Sequence, residues 1–196
     1  MRVIVIMGLL VLGGFGLLAV GYAAEQASLR AEAVEARAAS QMFAKTLKSQ
    51  LIAAIKAGGP KSAIPVCQQI APAVAKQYAS DGLVIGRTSF RIRNPANAPD
   101  DWERDVLVGF AKAMEKGVDP KTLERFAFFP DKSGGKTFRY MKAIAVTQPC
   151  LACHGSNVSP AVQDALDKHY PDDQATGFAL GDLRGAFTVR KVMPKS

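Results

Sequence analysis

Acidic side chains are scarce in this chain of 196 residues: 17 Asp and Glu stand against 25 Lys and Arg, a formal net charge of +8. Such a balance attracts an acidic redox partner or an anionic surface. The basic residues are scattered, however, and no Arg/Lys block with interleaved aromatics occurs, which argues against nucleic acid as a partner. There is no internal repeat and no low-complexity tract. With only two histidines, His154 and His169, one tryptophan and three cysteines, the chemistry has few places to reside. The 48% hydrophobic content is enough for one globular domain with a real core and no need of disulfide staples.

Charge is also missing from the start of the chain. Arg2 is followed by "VIVIMGLLVLGGFGLLAVGYAA", with no charged residue until Glu25. A basic start, an apolar run and small residues up to Ala24 read as an export signal over 1–24, cut after Ala23. The run is also long enough to cross a bilayer as an uncleaved anchor, although its glycines weaken it as a membrane helix. Either way, the remainder is expected outside the cytoplasmic membrane, in the periplasm.

From Glu25 to Ala57 the chain is rich in Ala, Glu, Lys, Arg and Leu. Phe43, Leu47 and Leu51, with Met42, Ile52 and Ile55 beside them, mark one face of an amphipathic helix ended by Gly58-Gly59-Pro60. Residues 25–40, mostly alanine and charge, form a helical lead expected to be exposed or to pair with a partner helix, a route to a homodimer. The folded domain is expected over 41–196. Ser62 is an N-cap candidate for a second helix bearing Ala63, Val66, Cys67, Ile70, Val74 and Tyr78 on one side, which Pro72 should bend or break.

"LVIGRTSFRIR" (83–93) reads as a strand, with Arg87, Ser89, Arg91 and Arg93 alternating against Thr88, Phe90 and Ile92. Asp100 caps a helix with Trp102, Val106, Phe110 and Met114 at helical spacing. Asp119-Pro120 opens a short helix. "FAFF", "KTFRYMKAIAV" and "GAFTVRKV" are strands, and Ser159-Pro160 starts a helix to about His169. A helical N-terminal half feeding an antiparallel sheet with flanking helices is an α+β arrangement.

The cysteines are Cys67, Cys150 and Cys153. In an exported chain an odd count leaves a thiol over or uses one chemically. "PCLACHGS" holds Cys-x-x-Cys-His, the haem c attachment signature, in which two thiols add to the vinyl groups and His154 binds iron. A thioredoxin-type dithiol would open a helix in a βαβ setting, whereas Pro149 and Gly155 frame a loop here. Cys67, Cys150, Cys153 and a histidine would also make a Cys3His zinc set, and a Cys150–Cys153 disulfide needs no cofactor at all. Covalent haem is favoured over all three. Candidates for a sixth iron ligand are Cys67, His169, Met42, Met114, Met141 and Met193. Cys67 lies on an apolar helix face near a helix N-terminus, where a thiolate is favoured, although a buried free cysteine is also ordinary packing.

Four motifs in order, "AIPVCQQIAPAVA" (63–75), "GRTSFRIRNPANAPDDWE" (86–103), "CLACHG" and "YPDDQATGFALGDLRGAFTV", resemble the PAS-like c-type haem domains first described from a thermophilic cyanobacterium. The resemblance spans about residues 41–192. It implies a PAS-like antiparallel sheet with helices, one covalent haem c, His154 as proximal ligand and Cys67 as distal ligand. An anionic thiolate opposite His154 favours ferric iron and a low potential. Arg87, Arg91, Arg93, Arg184 and Tyr140 are candidates for holding the propionates. Trp102 and Phe90 are candidates for packing on the macrocycle.

The function expected from this reading is an exported monohaem cytochrome that senses redox state or a diatomic gas, or carries electrons at low potential. A closed sixth position and the lack of a distal acid–base pair weigh against a peroxidase or other haem enzyme. A zinc-stabilised interaction protein is a third reading.

Overall fold

The computed structural model describes residues 14–79, 82–131 and 134–194. The expected leader at 1–24 falls partly outside them. Helix α1 runs Gly14–Gly58 and crosses both Ala23 and the expected boundary at residue 40 without a break. Among the described residues no helix is long and apolar enough to cross a membrane.

A four-stranded antiparallel sheet forms the centre, in the order β1-β4-β3-β2, from β1 (Leu83–Thr88), β2 (Glu124–Pro130), β3 (Lys136–Ala145) and β4 (Leu183–Val192). Its side chains alternate between two layers. One face carries Leu83, Ile85, Phe138, Tyr140 and Val189 against α1 and against α2 (Ala63–Gln77). The opposite face carries Met141 and Ala186 against Val106, Leu107 and Phe110 of α3 (Asp101–Glu115). Two short helices, α4 (Leu151–His154) and α5 (Pro160–His169), lie between β3 and β4.

The alanine-rich lead is not exposed as expected. Ala33 and Ala36 are fully buried and continue, with Ser40, Phe43 and Leu47, one stripe of α1 onto the sheet. Alanine allows the helix axis to approach the strands closely, and Phe43 then fills the space beyond, its ring edge-on to Phe187 at 5.8 Å. Full burial of a side chain of that size contributes roughly 1.5–3 kcal/mol.

Ions clamp the same helix. Arg37 grips Glu124 with two hydrogen bonds, of 3.0 and 2.5 Å, and the buried Tyr140 donates its hydroxyl to the same carboxylate at 2.9 Å. Lys191 bridges Glu32 and Glu35. The Arg37 hydrogen bond holds Glu124 below the ordinary carboxylate value, against desolvation. A depressed folded-state pKa adds stability that is complete above the unfolded value and lost as pH falls through the folded one. Glu124→Gln is therefore expected to lower stability by about 1 kcal/mol at pH 7. The gap to the parent should close below the ordinary value of 4.5, as followed by urea unfolding at pH 7 and pH 3.

Four other local expectations are corrected. Ser62 does not cap α2: it sits in a 3-10 turn, Pro60–Ser62, and its hydroxyl bonds back to the Gly58 carbonyl. Of the two outcomes expected at Pro72, a bend or a break, the break does not occur: α2 continues to Gln77. The proline's neighbours Ala71 and Val74 are buried against the sheet, and this packing offsets a cost of about 3 kcal/mol for an internal proline. Asp119-Pro120 makes a turn rather than a helix, with Lys121 N–H donating to the Asp119 carboxylate. Strand β1 stops at Thr88, so Ser89 to Arg93 leave the sheet. Asp100 caps α3 as expected and forms a reciprocal box with Glu103.

Candidate functional site

The peptide that leaves β3 turns through a 3-10 segment, Gln148–Cys150, directly into α4. The cysteine motif is thus a helical turn and not the expected loop. The strands around it are antiparallel, so a thioredoxin-like βαβ setting is absent here. Gly155 ends α4, and a Cβ there would lie 2.6 Å from the Leu151 carbonyl oxygen, so only glycine permits this exit.

The cysteines are all free and partly buried. Cys150 takes hydrogen bonds at its sulfur from Thr147 N–H at 3.4 Å and lies 3.2 Å from the Thr147 hydroxyl. It packs on the cluster of Val146, Ala175 and Phe178. Cys153 instead packs on Ile64, Val162, Leu166 and Tyr170, with its sulfur 4.0 Å from the Pro60 carbonyl. Desolvation raises the Cys153 thiol, with Arg93 opposing.

A returning loop, residues 173–178, fixes His154. Its Nδ1 donates to the Ala175 carbonyl at 2.6 Å, which leaves Nε2 as the free lone pair. Phe178 N–H donates to the His154 carbonyl and Gly177 N–H to that of Gly155. The Phe178 ring stands edge-on to the imidazole at 6.3 Å. Desolvation first, then Arg184 and Arg93, hold the imidazole down to about 2 despite the Ala175 bond, so the ring is neutral.

The arginines divide by what they already hold. Arg93, buried, pairs with buried Asp173 at 2.9 Å and donates to the Cys153 carbonyl at 2.6 Å and the Ala175 carbonyl at 3.4 Å. It ties the segment after β1, α4 and the returning loop into one unit. Arg91 is exposed, donates to the carbonyls of Gln174 and Gly177, and lies 4.2 Å from the centre of the Phe178 ring. Arg184 uses one terminal nitrogen on Ser89 Oγ and the Arg91 carbonyl, and desolvation with Arg93 and Arg87 nearby lowers it to about 10. Arg87 has no hydrogen-bond or ion-pair partner among the described residues; the side chains that interact with it electrostatically are those of Cys67 and Tyr170.

Cys67 thus shares this region with Arg87, Tyr170 and Cys153. His169 is engaged in a reciprocal pair with Gln68, which donates to the His169 carbonyl and faces His169 Nδ1 at 3.0 Å. Met141 is buried in the α3-side core, Met42 is exposed, and Met193 packs beside the α1-side core. Tyr140 lies in the α1-side core with its hydroxyl committed to Glu124, and Trp102 packs on Phe129 and Arg139 beside α3. Phe90 is 42% exposed. Neither Tyr140 nor Trp102 is brought to the cysteines. Among the described residues no three His, Cys, Asp or Glu side chains are grouped as a metal ion would require. The zinc set of Cys67, Cys150, Cys153 and a histidine is therefore not assembled.

Sequence reasoning missed Asp173, Ala175, Phe178, Tyr170 and Thr147. Only the aspartate carried a signal, as one of two adjacent carboxylates in "YPDDQATG".

Comparison with known proteins adds two findings. The family model described as "Tll0287-like: Tll0287" matches residues 20–191. The crystal structure of the cyanobacterial haem-protein Tll0287 is similar in fold, with a TM-score of 0.55 and 24% identity over 88% of this chain and 96% of that one. No curated protein matches.

Proposed function

This chain belongs to the Tll0287-like family, and from that premise we propose that it is a haem protein carrying one covalent haem c on Cys150 and Cys153, with His154 and Cys67 as axial ligands. The observation that carries the reading is the build of α4. Two free thiols one helical turn apart precede a neutral histidine whose Nδ1 is already spent on Ala175, which is the state in which imidazole donates Nε2 to a metal. The similar cyanobacterial structure is itself that of a haem protein.

The charges fit the group as well. Three guanidinium groups, Arg87, Arg93 and Arg184, influence one another or His154, and Asp173 is the carboxylate set among them. An excess of positive charge remains for a dianionic ligand to offset. Arg184 has nitrogens without partners and is the side chain best placed to take a propionate, whereas Arg93 is already committed within the fold. Bound haem would supply one-electron chemistry. The chain's own contribution is to fix His154, offer Cys67 and balance the charge.

Role and place follow as further parts of the proposal: an exported protein that exchanges electrons with an acidic partner or responds to redox state or a diatomic gas. The test is the absorption spectrum of protein produced with haem-maturation machinery. A Soret band that stays with the polypeptide in denaturant, with low-spin ferric features, is expected. Colourless protein, or haem extracted by acidified solvent, would overturn covalent attachment.

A further inference from the structure

Arg87 has a second set of neighbours besides the other guanidinium groups. The sheet register opposes it to Phe187, which packs on Phe43 in the α1-side core. With the period of two along a strand, Arg87 projects to the same face as Leu83 and Ile85. Those two pack in one cluster with Ala71 and Val74 of α2. Cys67 stands one helical turn before Ala71, on that same stripe. The end of β1 and the start of α2 therefore bring Arg87 against Cys67, and Tyr170, buried with Ile64 and beside Cys153, closes the far side. A cation with no hydrogen-bond or ion-pair partner among the described residues, facing a thiol and a phenol, is a group waiting for negative charge on sulfur.

We propose that Arg87 is the counter-charge of the Cys67 thiolate, a positioning residue that tempers the donation of electrons from sulfur to iron. This rests on the Cys67 ligation proposed above. The physical argument is Coulombic: a fixed positive charge beside the sulfur holds electron density there and offsets the extra negative charge that the site gains on reduction. Removing it strengthens the sulfur's donation to ferric iron and lowers the midpoint potential. Arg87→Lys keeps the charge and Arg87→Met removes it.

The holoprotein is compared as wild type, Arg87→Met, Arg87→Gln and Arg87→Lys by resonance Raman of the iron–sulfur stretch and by redox titration. The expected result is a higher stretching frequency and a more negative midpoint in both uncharged variants, with Arg87→Lys returning toward wild type in both readouts. The glutamine variant, which keeps a donor and the side chain's bulk, serves if methionine prevents folding. A lowered midpoint with an unmoved iron–sulfur frequency would overturn the proposal and assign Arg87 to a haem carboxylate. No change in either readout would also overturn it. If wild-type holoprotein itself shows no iron–sulfur band, the Cys67 ligation falls, and this inference with it.

Discussion

Cys67→Ser is expected to convert the ferric protein from a low-spin to a predominantly high-spin spectrum and to raise its midpoint potential. Serine is nearly isosteric with cysteine, so α2 should remain folded; the substitution removes a soft, readily ionised donor and leaves a hydroxyl that does not ionise at neutral pH. Axial ligands tune haem potentials over roughly 0.8 V, and exchanging a thiolate for a neutral oxygen is expected to use on the order of 100 mV or more of that range. Optical titration with redox mediators measures it. The ferrous variant should also bind carbon monoxide faster than wild type, because no sulfur has to leave first. An unchanged spectrum would remove Cys67 from the iron and bring His169 forward, at the cost of its pairing with Gln68.

Arg93→Met is expected to destabilise the protein by roughly 3–5 kcal/mol, because it leaves the carboxylate of Asp173 buried without its cation. Both side chains of the pair are under 10% exposed. The loss should be concentrated at the site. Hydrogen exchange should accelerate in residues 151–155 and 173–178, the two segments that Arg93 joins through the Cys153 and Ala175 carbonyls. Adding Asp173→Asn to Arg93→Met should recover part of the stability, since the remaining amide is neutral and can still accept from Ala175 N–H. Urea denaturation of the single and double variants separates the charge penalty from the lost hydrogen bonds. Equal stability of Arg93→Met and wild type would show that the pair is not the clamp.

These two expectations differ in how far the sequence foretold them. Cys67 stood out because a third cysteine on an apolar helix face is chemically conspicuous, and the helix periodicity around it is the kind of signal that local sequence encodes well. Arg93 was legible as a strand residue, one of four alternating with Thr88, Phe90 and Ile92, and as a candidate for holding a propionate. Its real environment is set by Asp173, about 80 residues further on, and no local pattern encodes a partner that distant. The same limit explains the end of β1. Five more residues with strand composition follow Thr88, but tertiary bonds draw them out: Ser89 to the Arg184 carbonyl, Ile92 to Gln174, and Arg91 and Arg93 to the returning loop. The α1 stripe failed differently. Ala33 and Ala36 read as solvent-facing because alanine carries little hydrophobic signal, and their value lies in being small. The cap at Asp100 and the strands β2, β3 and β4 were within reach of patterns of two and of turn chemistry, whereas the pairing of β1 with β4, about 100 residues on, was not.

The separation of Cys150 and Cys153 into different apolar clusters bears on how the two thiols would fare before the proposed haem attachment. A vicinal pair in an oxidising compartment is prone to close on itself, and a closed pair cannot be alkylated by a vinyl group. In the folded chain, closure would have to pull one sulfur from Thr147 or the other from the Ile64 pocket. Were the proposed haem attachment to follow folding, this packing would act as a protecting group, keeping the two reduced thiols apart until both had reacted.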